Sequence, residues 1–113
     1  MGDIRLKTVD YQYGGHTYRL ACNMNVLADV QEAYEGNLMK ALNTARSLRA
    51  ILVFLAAMLN DAADTEGRPE RFTAKQLGRE LSIKETQEAG LQIFPIILAA
   101  VGGDEEKTEE EKN

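Results

Sequence analysis

The sequence predicts an α+β fold that is mostly α, in which an N-terminal β-hairpin is followed by about four to five helices. Three observations support this fold class. Aromatic and apolar residues alternate on both sides of the Gly14-Gly15 pair, as they do in a hairpin. An unbroken run of ten apolar residues, at positions 50–59, indicates a buried helix. Serine, threonine and asparagine residues stand in front of the apolar stretches, where they are suited to cap helices.

The hairpin is predicted because a turn at Gly14-Gly15 would place the alternating aromatic and apolar residues of both strands on the same face. Two glycines accommodate the positive φ angles of a two-residue turn. A turn at Gly14-Gly15 gives three cross-strand pairs on one face, which are Tyr13 with His16, Tyr11 with Tyr18, and Val9 with Leu20. Because side chains alternate with period two along a strand, this face is predicted to pack on the helices.

The helices are predicted from caps and from apolar residues at helical spacing. Their expected ranges are residues 24–35, 38–45, 47–62, 73–81 and a last helix from residue 82. Each begins at a side chain that can accept a hydrogen bond from a free backbone N–H, and these caps are Asn23, Asn37, Ser47, Thr73 and Ser82. Gly36 is expected to stop the first helix.

The last helix leads into an acidic tail. Pro95 lies inside the helix and predicts a kink or break near Leu91, and the helix is expected to end at Gly102-Gly103. Residues 104–113 hold six acids, two lysines and no apolar residue. They are therefore predicted to form a disordered tail, and residues 1–103 a single globular domain.

The charge distribution bears on nucleic-acid binding. The net charge is −5, and residues 104–113 account for −4 of it. Nucleic-acid-binding domains carry a basic surface, so no nucleic-acid partner is expected. One alternative stays open, because residues 73–90 have the outline of a helix-turn-helix. In its second helix, however, acidic and amide side chains outnumber the basic ones.

No residues suited to catalysis or metal binding are grouped in the sequence. The chain has one cysteine, Cys22, and one histidine, His16, whereas a zinc site takes three or four ligands. A single cysteine forms no internal disulfide, and the alternating neighbours of Cys22 favour a buried structural thiol. We therefore expect that the protein is not an enzyme and that it uses no cofactor or metal.

The sequence also predicts a cytosolic protein with no membrane partner. Its longest apolar run is about half the length that a membrane-spanning helix requires. The first ten residues contain charged side chains and lack the apolar core of a signal peptide.

Two short motifs connect the sequence to a known family. A G-x-x-Y-x-L element is followed by a helix that ends in E-x-x-x-G-N-L, and the matching residues are Gly15, Tyr18, Leu20, Glu32, Gly36, Asn37 and Leu38. This pattern resembles the tail assembly chaperones of long-tailed bacteriophages and related gene-transfer particles. The resemblance covers about residues 8–102, and its motifs consist of turns, caps and apolar stripes.

The resemblance implies a non-enzymatic assembly factor that binds the long helical tape measure protein and keeps it soluble. It also implies assistance to tail tube assembly, with the tail tube protein recruited by a longer form that arises through ribosomal frameshifting. Such chaperones act in the cytoplasm of the bacterial host and are absent from the mature virion.

The apolar helices supply candidate residues for binding a partner of this kind. The central helix is apolar nearly all round, so it is expected to be buried either in its own domain or against a partner. The candidates on this helix and on the last one are Ala50, Phe54, Ala57, Met58, Ile93, Phe94 and Ile97. The alternative interpretation places all of them in the core.

Other functions remain open at this point. One is a structural virion component, such as a tail tube or head–tail joining subunit, although a tube subunit is expected to be richer in strands than this chain. Another is a DNA-binding regulator that uses residues 73–90. The apolar central helix and the unpaired edges of the hairpin also favour a homo-oligomer.

Overall fold

The chain folds into a hairpin and a set of helices arranged around one central helix. The computed structural model describes the backbone of residues 7–112 and the side chains of residues 7–102. Within these residues two strands precede five helices: β1 (Thr8–Tyr13), β2 (His16–Ala21), α1 (Met24–Ala33), α2 (Leu38–Asn43), α3 (Leu48–Thr65), α4 (Ala74–Glu80) and α5 (Ile83–Lys112). The predicted α+β, mostly α, class is confirmed.

The hairpin has the predicted register. β1 and β2 are antiparallel, and Tyr13 pairs with His16, Tyr11 with Tyr18, and Val9 with Leu20. The turn residues Gly14 and Gly15 have φ values of 61° and 81°, which favour glycine. Tyr18 and Leu20 are buried, so this face of the hairpin covers the helices, as expected.

The helix α3 is the centre of the core. Eleven of its eighteen residues are buried, and it contacts β2, α1, α4 and α5. The buried residues lie all round the helix, because each neighbouring element covers a different side. Of the two possibilities for this apolar helix, burial in its own domain or burial against a partner, the structure shows the first.

The helix caps form as the sequence predicts. The side chains of Asn23, Asn37, Ser47 and Thr73 each accept a hydrogen bond from a backbone N–H in the first turn of their helix. At the start of α5, Glu85 N donates to Ser82 Oγ at 3.0 Å and Ser82 N donates to a Glu85 carboxylate oxygen at 2.9 Å. This reciprocal capping box fixes where α5 begins.

Side chains of α3 also hold the neighbouring segments in place. Asn23 Nδ2 donates to Asp61 Oδ2 at 2.9 Å and ties the start of α1 to α3. Asn60 donates to the carbonyl of Phe72 at 2.9 Å and accepts from its N–H at 2.7 Å. These two bonds replace the backbone partners that Phe72 lacks outside a helix, and they position the segment that leads into α4.

The stop expected for α5 is wrong, and of the kink or break expected near Leu91 the break does not form, while a kink stays a prediction. The helix is not broken near Leu91, and it does not end at Gly102-Gly103, since its backbone is helical from Ile83 to Lys112. Pro95 and Leu91 are both exposed, and Pro95 supplies no N–H donor to the Leu91 carbonyl. Beyond the glycines the sequence is rich in Glu and Lys, which are good helix formers. The division into a domain of residues 1–103 and a disordered tail stays a prediction.

A glycine allows α5 to approach α3 closely. A Cβ atom at Gly90 would lie 2.7 Å from Cδ1 and 3.1 Å from Cγ1 of Ile51. At Gly78 in α4, by contrast, the nearest atom to such a Cβ is 3.4 Å away, on Leu52. The two helical glycines therefore differ in the space around them, and Gly90 is the one that the packing requires.

We predict that alanine has different effects at these two glycines. Gly78→Ala should raise the free energy of unfolding by about 0.5–1 kcal/mol, because alanine is the better helix former. Gly90→Ala should lower it by about 1 kcal/mol, because overpacking against Ile51 outweighs the same gain in helix propensity. Urea denaturation of both variants measures the difference. An equal increase for both would contradict the close packing of α5 on α3.

Candidate functional site

The helix α5 carries apolar residues on two neighbouring sides, of which one is covered. The inward side holds Ile93, Ile96 and Ile97, which are buried against the rest of the core. The second side is formed by residues at helical spacing that face outward, and we call it the α5 stripe: Leu91, Phe94, Pro95, Leu98 and Val101. Because the inward side already supplies the packing on α3, the stripe is not needed for the core.

The α5 stripe is exposed over most of its length. Leu91 is 76% exposed, Leu98 49% and Val101 38%. Pro95 is also exposed, and Phe94 is half-buried. Single apolar residues on a protein surface are common, but a contiguous row of them indicates an interaction site.

A groove of about 530 Å³ runs beside the stripe. It lies between α5 and the segment where α2 passes into α3. Its lining consists of Ala45, Arg46, Ile51, Gln87, Gly90, Leu91, Phe94 and Pro95. Gly90 and Ile51, which pack against each other, bring the two sides together, so the groove depends on the close approach of α5 and α3.

Arg46 forms one edge of this groove. Its guanidinium carbon lies 4.6 Å from the centre of the Phe94 ring, a cation–π contact. A guanidinium placed over a ring keeps N–H donors that can bond other groups. The groove is thus apolar along its length and cationic at one edge.

The seven predicted partner-binding residues are mostly in the core. Ala50, Phe54, Ala57, Met58, Ile93 and Ile97 are all buried. These six side chains are not available to a partner, because the neighbouring elements cover the four on α3 and the two isoleucines belong to the inward side of α5. Phe94 is the one candidate that retains accessible surface, and it belongs to the α5 stripe.

Sequence reasoning missed the other members of the site. Leu91, Leu98 and Val101 have a helical spacing that was visible, but so do Ile93 and Ile97, and the sequence does not show which of the two sets is covered. The role of Arg46 depends on its contact with Phe94, which is far from it in the sequence.

A second cavity, of about 770 Å³, lies between the hairpin and the α4–α5 region. Its lining includes Tyr11, Tyr13, Glu80, Glu85 and Glu88. Burial raises the pKa of the Tyr11 hydroxyl, and the negative charge of Glu85 raises it further. Glu85 is already engaged in the capping box with Ser82, so at least part of this acidic lining stabilises the fold.

The hairpin is joined to the segment between α3 and α4 by a carboxylate. Tyr18 Oη donates to Glu70 Oε2 at 2.7 Å, and Arg68 Nε donates to the same oxygen at 2.5 Å. The bond from Arg68, followed by the bond from Tyr18, lowers the pKa of Glu70 to about 2. The ring of Tyr18 also packs edge-on against Phe72, with their centres 5.7 Å apart.

The cysteine and the histidine, whose side chains could be reactive, are buried or hydrogen-bonded within the fold. Cys22 is buried, and burial raises the pKa of its thiol to about 11, so the thiol is protonated at neutral pH. His16 is hydrogen-bonded through Nε2 to Glu66 at 2.9 Å. Within the described part of the chain, His, Cys, Asp and Glu residues form no group of three or more that could hold a metal ion.

The outline of a helix-turn-helix is present as two consecutive helices. α4 and α5 are separated by Leu81 and Ser82. The first turn of α5, which would enter the DNA groove, carries Glu85, whose carboxylate bonds Ser82 N. A carboxylate at this position would enter the negative potential of the DNA groove, so Glu85 adds no support to DNA binding.

None of the helices in the described residues is both long enough and apolar enough to cross a lipid bilayer. Comparisons with protein-family models, with curated proteins and with solved structures find no match for this chain. The functional assignment therefore rests on its residues and their geometry.

We predict a pH-dependent contribution of Glu70 to stability. Its pKa is about 2 in the folded protein, against 4.5 as the reference value. A lowered pKa means that the ionised carboxylate stabilises the fold, fully above pH 4.5 and progressively less as the pH falls towards 2. Glu70→Gln should therefore be less stable than the wild type at neutral pH, and the difference should shrink over this acidic range.

Urea denaturation of both proteins at several pH values measures this difference. Tyr18→Phe removes one of the two donors to Glu70, and we expect the same pH trend with a smaller amplitude. A stability difference between wild type and Glu70→Gln that stays constant down to pH 2 would contradict the role of the ionised carboxylate.

Proposed function

We propose that this chain is a non-enzymatic chaperone that binds an apolar helical segment of another protein on the α5 stripe. The exposed row of Leu91, Leu98 and Val101 beside an apolar groove carries the proposal. From residue 91 to residue 101 the stripe covers about three helical turns, or roughly 15 Å. This length suits an amphipathic helix whose anchors recur at i, i+3 or i+4, and i+7.

The reactive residues support a non-enzymatic role. Cys22 is buried with a raised pKa, and His16 is paired with Glu66. The apolar groove gathers no acid, base or nucleophile along its lining, since Arg46 and Gln87 are its polar members. General acid–base or covalent catalysis requires a titratable group or nucleophile at the bound substrate, whereas helix binding requires only apolar anchors.

We further propose that the protein is a tail assembly chaperone of a long-tailed bacteriophage or a related gene-transfer particle. The G-x-x-Y-x-L and E-x-x-x-G-N-L motifs support this more specific proposal. Its partner would then be the tape measure protein, a long helical chain whose apolar stripes need cover before assembly. A frameshifted longer form would bring in the tail tube protein. The chain would act in the cytoplasm of the bacterial host and be absent from the mature virion.

The native locus tests this specific proposal. We expect an overlapping reading frame, a slippery heptamer near the codons for residues 109–112, and a long downstream gene that encodes an apolar helical protein. A lone gene beside a promoter-like palindrome would refute the tail chaperone and favour a DNA-binding regulator. A structural virion component would instead be found in purified particles, from which the chaperone is expected to be absent.

We predict that a charge on the α5 stripe weakens helix binding. The probe is a fluorescent amphipathic peptide of about 20 residues, longer than the roughly 12–15 residues below which isolated helices are marginal in water, with leucines on one face and glutamines elsewhere. Leu98→Glu should raise its dissociation constant about tenfold or more, because the apolar contact of the side chain is lost and a charge must be desolvated. Fluorescence anisotropy measures the change.

The control is Met24→Glu, which places the same charge on another exposed apolar residue, at the start of α1 and outside the stripe; Met24 is 75% exposed, against 49% for Leu98. Binding by this variant should equal that of the wild type. Equal binding by the wild type and Leu98→Glu, with both proteins folded by circular dichroism, would refute the proposed binding surface.

A further inference from the structure

The cationic edge of the groove points to the charge of the partner. The guanidinium of Arg46 is held over the Phe94 ring, with its carbon 4.6 Å from the ring centre. Phe94 belongs to the α5 stripe, so a helix that binds the stripe passes directly beside this guanidinium. Arg46 is therefore placed to contact the bound segment and not only to border the groove.

Arg46 has no carboxylate partner in the described part of the chain. The ion pairs found there join other residues: His16 with Glu66, Arg19 with Asp10, Arg68 with Glu66 and Glu70, and Arg71 with Asp64. Glu85 and Glu88 lie on α5, but they line the cavity on the hairpin side. An arginine carries five N–H donors in a planar fork, and the contact with Phe94 limits where that fork can lie.

We infer that Arg46 selects partners that carry an aspartate or glutamate beside their apolar face. This inference rests on the proposed function and specifies its partner: an amphipathic helix with leucine-type anchors on the α5 stripe and a carboxylate on the flank that meets Arg46. A carboxylate accepts two parallel N–H bonds from a guanidinium. Because the ring of Phe94 already restricts the guanidinium before a partner binds, less conformational entropy is lost when the ion pair with the carboxylate forms.

The stripe and groove of a second copy do not supply the carboxylate from their described residues. On α5, the described residues of the stripe and the groove lining are apolar apart from Gln87. Two copies that met through their stripes would bring two arginines to the interface, and these described surfaces would supply no carboxylate for either. Contact through these described surfaces alone therefore leaves Arg46 of either copy without a carboxylate, whereas a different protein with acidic flanks provides one.

A charge-reversal experiment tests the inference. Three peptides share the leucine face described above and carry glutamate, glutamine or lysine at the positions that flank it. With wild-type protein at low salt, the glutamate peptide should bind about three- to tenfold more tightly than the glutamine peptide, and the lysine peptide most weakly. Arg46→Glu should invert this order, and Arg46→Gln should make the three peptides nearly equal.

Lys75→Glu is the control for net charge, since it makes the same change at an exposed position on α4, outside the groove. It should leave the glutamate preference unchanged. If Arg46→Glu fails to fold, as judged by circular dichroism, Arg46→Gln still provides the test. High salt should reduce the glutamate preference more than it reduces binding of the glutamine peptide.

The outcomes separate the inference from the proposed function. If all three peptides bind wild type and Arg46→Glu alike, and Leu98→Glu weakens them all, the binding surface stands and the role of Arg46 is refuted. If no peptide binds the wild type, the proposed function fails. If no peptide binds and sedimentation shows a dimer that Leu98→Glu dissociates, the occupant is a second copy and the inference is also refuted.

Discussion

The burial of α3 is the constraint on which the rest of the structure depends. This helix is apolar nearly all round, and eleven of its eighteen residues are buried. One helix cannot be covered from a single side, so the hairpin, α1, α4 and α5 each cover a different part of it. The side-chain bonds of Asn23 to Asp61 and of Asn60 to Phe72 then fix the neighbouring segments relative to α3.

In this arrangement only one of the two apolar sides of α5 packs on the core. Its inward side packs so closely on α3 that a Cβ atom at position 90 would lie 2.7 Å from Cδ1 of Ile51. The helix is nevertheless apolar on the adjacent side, where Leu91, Leu98 and Val101 stay exposed to solvent over 76%, 49% and 38% of their surface. Exposed apolar rows promote aggregation unless a partner uses them. The same helix thus completes the core and, in our proposal, presents the surface on which a partner helix binds.

The sequence predicted the local structure well because local rules govern it. The turn glycines set the register that pairs Tyr11 with Tyr18, and the asparagine and serine caps set where the helices begin. It did not predict which apolar residues are exposed, because Phe54 and Leu98 look alike in a sequence and differ only in what packs over them. The stop at Gly102-Gly103 was also wrong, since glycines weaken a helix without ending it. The position of Arg46 at the groove depends on its contact with Phe94, and rules based on neighbouring residues do not predict a contact between residues so far apart in the sequence.

The central claim is that the α5 stripe binds an apolar helix, and methyl NMR tests it most directly. The protein is labelled at its leucine, valine and methionine methyl groups and titrated with the glutamine-flanked amphipathic peptide. Our account predicts large shifts for Leu91, Leu98 and Val101, with the exposed Met24 and the buried Leu55 unchanged. Shifts confined to methyl groups away from α5, or shifts spread through the core, would contradict it.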